Sequence, residues 1–176
     1  MTRNFNQNHF ALFGLPVSFD VDAGALERAY RELQREVHPD RHAQATEAEQ
    51  RIAAQWSTRS NEAYRILQSP IARGRYLLHL NGIDTAEETD TAMPVAFLVS
   101  QMDWREAVES ARRARDDAAL DRLGREERAL RAALVGELRD ALGRADWPAA
   151  RLCVRKLRFI EKLAEEIDLA AEALDT

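Results

Sequence analysis

The chain has 176 residues, 45% apolar and 31% charged, an ordinary globular balance for one large domain or two small ones. Its net charge is −5, with 10 basic against 9 acidic residues in 1–80 and 15 against 21 in 81–176, so neither half carries the basic footprint of a nucleic-acid binder. A single cysteine, Cys153, excludes an internal disulfide and a multi-cysteine metal site.

The opening MTRNFNQNHF lacks the apolar core of a secretory signal, and no apolar run approaches the roughly 20 residues of a membrane span. A cytoplasmic protein with no membrane partner is expected. Alanine, leucine, arginine and glutamate dominate, with only 7 Gly and 5 Pro, so helix is predicted throughout and the fold class is all-α.

NHFALFG (8–14) reads as a short helix ended by Gly14 and Pro16. Asp22 then caps a second helix, 23–37, whose Leu26, Tyr30, Leu33 and Val37 form one narrow apolar stripe. Arg28, Arg31 and Arg35 fall about 140–200° from Leu26 on the helical wheel, a basic row on the opposite face. Pro39 ends this helix and should hold His38 extended.

Beyond the polar DRHAQA, Thr46 and Glu49 form a capping box that opens a third helix running to about Leu67. Its expected inner stripe is Ile52, Trp56, Ala63 and Ile66/Leu67. Ser69-Pro70 starts a short fourth helix, IARGRYLLHL, stopped by Asn81-Gly82. The polar, acidic 83–93 reads as a linker. After Pro94, three long helical patterns at about 95–115, 117–144 and 148–174 predict an antiparallel three-helix bundle. Cys153, Leu157, Ile160, Leu163, Ile167 and Leu174 form the core stripe of its last helix.

Chemistry gathers at REVHPDRH (35–42). His38 and His42 have the four-residue spacing of zinc ligands on a helix, but Pro39 removes the helical face that makes the spacing useful. His38 and Asp40 could pair for acid–base work, yet no nucleophile or glycine-rich phosphate cradle lies nearby. A turn without function explains the proline and leaves the histidine and the arginine row unexplained. Docking to a partner uses every part. Asp40 offers a carboxylate to a partner's arginine, Pro39 lowers the entropy lost on binding, and the arginine row steers toward an acidic surface.

The first helix of the bundle carries two apolar stripes. Phe97, Trp104, Val108 and Ala111 form one; Val95, Leu98, Val99 and Met102 form another, centred roughly 160° away. A bundle helix buries one face, so the second either packs on another part of the chain or stays exposed to bind a partner. Methionine suits an adaptable surface, and Asp103 and Glu106 flank it as a charged rim. Phe159, about 90° off the last helix's core stripe, belongs at an edge.

His38-Pro39-Asp40, after a basic helix and before a helix ending SNEAYRIL (60–67), resembles the J-domain of DnaJ-type co-chaperones over roughly residues 8–75. Ser60 stands where J-domains often carry an aliphatic residue, which predicts a locally looser core. FALFGLP (10–16), SPIARGRYLLHLNGID (69–84), AFLVSQMDWREAVE (96–109) and VRKLRFIEKL (154–163) together resemble the HscB family, the J-proteins of iron–sulfur cluster assembly, in its bacterial form.

The resemblance implies a J-domain over 1–82, built of an antiparallel helical hairpin plus short helices, a linker over 83–93, and a three-helix bundle over 94–176. It implies that His38, Pro39, Asp40, Arg28, Arg31, Arg35 and Arg41 bind an HscA/DnaK-type chaperone and stimulate its ATPase. It implies that Leu98, Val99, Met102, Asp103, Glu106 and Phe159 bind an IscU-type scaffold protein. The hydrolysis is then the partner's chemistry, and the chain needs no catalytic residue, metal or cofactor of its own. Val99 stands where relatives carry methionine, Asp103 where they carry glutamate, and Ser110 where some are acidic. Two alternatives remain: a J-protein delivering another client to a general DnaK, and a metal-dependent enzyme using His38 and His42.

Overall fold

Among the described residues, six of the seven helices begin at a residue whose side chain closes the helix's own first turn. The computed structural model describes residues 4–38, 41, 45–85 and 93–174, and among these the secondary structure is helical throughout. The helices are α1 (His9–Leu12), α2 (Ala23–Val37), α3 (Glu47–Gln68), α4 (Pro70–Leu80), α5 (Val95–Ala114), α6 (Asp117–Gly143) and α7 (Trp147–Glu172). Asn8, Asp22, Asp116 and Asp146 each accept a hydrogen bond from the backbone N–H three residues on, at 2.8–3.2 Å. Thr46 and Glu49 form the expected reciprocal capping box, and the Ser69 hydroxyl accepts from Ala72 N at 3.3 Å. Only α5 starts without a side-chain cap, behind Pro94.

The chain divides into two compact units, Met1–Leu80 and Asn81–Thr176. Of the segment expected to be a linker, residues 86–92 lie outside the described residues. The Thr85 carbonyl accepts from Arg151 Nε at 3.2 Å, and Met93 is buried.

In the first unit α3 is the hub, with α1, α2 and α4 packed against it. The pairings Glu27–Tyr64, Tyr30–Asn61 and Gln34–Ser60 run in opposite directions along α2 and α3, so the two form an antiparallel hairpin. The inward row of α3 is Ala53, Trp56, Ser60, Ala63 and Leu67, at alternating spacings of three and four. Ile52, expected inside, is half exposed, and Ile66 is only half buried. One residue of rotation, about 100°, separates Ile52 from the inward Ala53. Nor is the core slack at Ser60. Its buried hydroxyl accepts from Gln34 Nε2 at 2.7 Å and donates to the Ser57 carbonyl at 2.9 Å.

Arg73 is buried in the same unit. Its Nη1 donates to the Leu67 carbonyl at 2.6 Å, near the negative end of α3, and its guanidinium lies 5.1 Å from the centre of the Phe19 ring.

In the second unit α6 and α7 pack along their lengths and α5 packs on both. Cys153, Leu157, Ile160, Leu163 and Ile167 are buried as expected; Leu174 lies just past α7, partly buried against the core around Val108, Leu120 and Leu163. On α6 the inward row is interrupted by Glu127, which is buried and paired with Arg131 one turn on at 2.6 Å.

The two joints of the bundle share one design. Arg115 (φ 52°) and Ala145 (φ 54°) take the left-handed conformation that ends a helix, and the next residue's N–H returns to Ala111 O and Ala141 O at 3.0 and 2.9 Å. That next residue, Asp116 or Asp146, also caps the following helix. A side chain in the left-handed region costs about 1 kcal/mol that glycine avoids, against a smaller entropic penalty. Ala145→Gly is therefore expected to stabilise the bundle by about 0.5 kcal/mol, read as a raised midpoint in urea unfolding.

Candidate functional site

The outer face of α2 presents Arg28, Arg31 and Arg35, all exposed, on a helix whose Leu26, Leu33 and Val37 are buried against the hairpin. His38 ends the helix in extended conformation (φ −60°, ψ 131°), as the following proline demands. Pro39, Asp40 and His42 lie outside the described residues. The His38 carbonyl accepts from Arg41 N at 3.0 Å, and Arg41 Nη1 donates to the Arg35 carbonyl at 2.8 Å, satisfying a group left open at the end of α2. Gln34, Arg35, His38 and Arg41 line an open hollow of about 390 Å³ there. The structure thus brings Arg35, His38 and Arg41 together at the helix end, with Arg31 and Arg28 one and two turns back.

Behind this face is a polar seam that periodicity did not disclose. Tyr64 of α3 donates to one oxygen of Glu27, whose other oxygen accepts from Arg31 Nε at 2.5 Å. The Tyr64 ring stacks on Tyr30 with centroids 4.1 Å apart, and the Tyr30 hydroxyl donates to Asn61 at 2.9 Å. Gln34 donates to Asn61 at 2.6 Å as well as to Ser60. The Glu27–Arg31 pair was visible in the sequence as an acid four residues before a base. Its link to Tyr64 needs the tertiary pairing of the two helices.

In the bundle, α5 buries Val108 and Ala111 and half-buries Phe97 and Trp104, the first of its two stripes. The second stripe is uncovered: Val95, Leu98, Val99 and Met102 are 76%, 38%, 50% and 70% exposed. Asp103 and Glu106 are exposed beside it. Phe159 of α7 is half buried, edge-on to Phe97 with centroids 5.9 Å apart, so it joins the rim of the bundle core to the α5 surface. Gln101, between the stripes, is buried, which the wheel did not predict for a polar residue.

Two further titratable groups are withdrawn from solvent. His9 is buried and stacked on Tyr76 with centroids 4.2 Å apart; burial, and then the neighbouring Arg59, push its pKa below the ordinary 6.5. Cys153 is buried, and burial followed by the Glu137 carboxylate pushes its thiol up. Among the described residues no group of three or more His, Cys, Asp or Glu is arranged to hold a metal, and no helix is long and apolar enough to cross a membrane.

A helical hairpin with a basic outer face, with the sequence His38-Pro39-Asp40 directly after its first helix and a three-helix unit later in the chain, is the build of a J-domain co-chaperone with its own second domain. Comparison with known proteins agrees: the DnaJ domain family matches residues 8–76, and the family described as the HSCB C-terminal oligomerisation domain matches residues 93–168. The co-chaperone protein HscB homologue of Paraburkholderia phymatum is 49% identical, and that of Azoarcus sp. (strain BH72) 48%, with at least 98% of each chain covered. Among solved structures, the chaperone HscB from Vibrio cholerae is 36% identical with a TM-score of 0.86, covering 96% of this chain and 99% of that one. The human co-chaperone protein HscB is 31% identical with a TM-score of 0.90, covering 96% and 84%. The chain belongs to the HscB family, the J-domain co-chaperones of iron–sulfur cluster assembly.

The Tyr64 hydroxyl, and after it the Arg31 guanidinium, hold the Glu27 carboxyl below its ordinary 4.5. A carboxyl depressed in the folded state contributes stability above its unfolded pKa and loses it as pH falls through the folded one. Tyr64→Phe is expected to return the Glu27 titration toward 4.5 in a carbon-detected NMR experiment, and Arg31→Ala to move it in the same direction.

Proposed function

We propose that this chain joins two partners, an HscA/DnaK-type ATPase at the first unit and an IscU-type iron–sulfur scaffold at the second, with residues 83–93 as the connecting linker. The chaperone meets Arg28, Arg31, Arg35, His38, Pro39, Asp40 and Arg41. The scaffold meets Leu98, Val99, Met102, Asp103, Glu106 and Phe159. The uncovered stripe of α5 carries this reading: four large apolar side chains remain exposed on a helix whose opposite face already packs in the bundle. An apolar centre flanked by carboxylates suits a partner whose own apolar patch has a basic edge.

The hydrolysis belongs to the chaperone, and the chain acts as activator and adaptor, in the cytoplasm. Arginines at exposed positions raise the encounter rate with an acidic surface, and the Asp40 carboxylate takes a charge-assisted hydrogen bond from the chaperone. Holding both partners on one chain replaces a bimolecular meeting of scaffold and chaperone by an intramolecular one, so local concentration does the work that intrinsic affinity need not.

Two variants test the halves separately. Asp40→Asn removes a charged acceptor worth about 1.5–3 kcal/mol and is expected to lower stimulation of the chaperone ATPase at least tenfold while scaffold binding stays intact. Leu98→Ala with Met102→Ala removes apolar area worth about 2–4 kcal/mol on burial, a loss of roughly 30-fold or more in scaffold affinity by calorimetry. Full stimulation by the first, or unchanged scaffold affinity in the second, refutes the corresponding assignment.

A further inference from the structure

Arg31 differs from the rest of the basic row. Among the described residues, it alone of Arg28, Arg31 and Arg35 has its guanidinium hydrogen-bonded to a carboxylate. That carboxylate is itself anchored: one oxygen of Glu27 takes the Arg31 Nε, the other takes the Tyr64 hydroxyl from the neighbouring helix. Tyr64 is fixed in turn, its ring stacked on Tyr30 and its oxygen accepting from Gln68 Nε2 at 3.3 Å. A chain of contacts therefore runs from α3 to the tip of an arginine side chain that is 69% exposed.

For stability this arrangement is worth little, because an exposed pair one helical turn apart adds only a fraction of a kilocalorie. For long-range steering it is counterproductive, because a carboxylate beside a basic row lowers the positive potential. Its effect is on order. A free arginine gives up its rotamers when it docks; Arg31 has given up much of that freedom on folding. Because the bond to Glu27 uses Nε, the fork of terminal nitrogens is left to an outside acceptor.

We propose that Tyr64 and Glu27 are positioning residues for chaperone docking, holding the Arg31 guanidinium ready for an acidic group on the ATPase. This rests on the assignment of the α2 face to the chaperone. Neither residue touches the partner; both act through Arg31.

The test is a double-mutant cycle on the full chain, read as stimulation of a purified HscA-type ATPase. Tyr64→Phe keeps the ring and its stacking. It is expected to raise the half-maximal concentration of this chain about three- to tenfold and to leave maximal stimulation unchanged. Arg31→Ala raises it at least as much, and Tyr64→Phe then adds nothing in the Arg31→Ala background. A merely structural role would add in full, and such additivity overturns the proposal, as does a Tyr64→Phe protein that matches the wild type. Thermal unfolding accompanies each variant. If Tyr64→Phe is destabilised, Glu27→Gln, which acts on a part-exposed carboxylate, carries the same cycle with the same outcomes. Should Asp40→Asn and Arg31→Ala both stimulate as well as the wild type, the docking face itself is misassigned, a result distinct from additivity within the cycle.

Discussion

The pairing of α2 with α3 is the constraint from which the first unit takes its form. Leu26, Leu33 and Val37 need a surface to cover, and α3 provides one in Ala53, Ala63 and Leu67, with Ser60 among them. Small side chains at three of those positions make space for the larger ones opposite. A second layer of contacts outside this core sets the register: Tyr30 on Tyr64, Gln34 to Ser60 and Asn61, Glu27 to Tyr64. Apolar packing alone tolerates some sliding, whereas hydrogen bonds with defined partners do not. The direction in which Arg28, Arg31 and Arg35 leave the surface is thus decided on the opposite side of α2.

The bundle solves a different problem. Its three helices enclose one core, yet α5 is apolar on two sides, and the joints are only two residues (Arg115-Asp116) and three residues (Arg144-Ala145-Asp146) long. With the chain reversing so tightly, α5 has little freedom to roll its second stripe inward. Phe97 of α5 and Phe159 of α7 meet edge to face, which braces the helix that carries the exposed stripe. A rigid apolar surface loses less entropy on binding than a mobile one.

Much of this was legible in the sequence because it is local. Asp22, Thr46 with Glu49, Ser69-Pro70 and Asp146 announce helix starts through side chains that bond their own backbone, and the helices begin where those residues stand. The two faces of α5 could be read from the wheel for the same reason. What was misread or missed depends on neighbours. Ile52 outranks Ala53 in hydrophobicity, but the inward position belongs to alanine because another helix needs the room. Glu127 and Arg73 are buried charges, acceptable only because Arg131 and the Leu67 carbonyl are in place to receive them. Tyr64 and Glu27 are 37 residues apart, and no periodicity within either helix connects them.

The lone thiol has a consequence for the company this family keeps. A thiol coordinates iron or attacks a cluster only as the thiolate. Cys153 is shielded by the bundle, and both that shielding and the Glu137 carboxylate favour its protonated form. A member of a family devoted to iron–sulfur cluster assembly therefore carries its one thiol where it is withheld from iron.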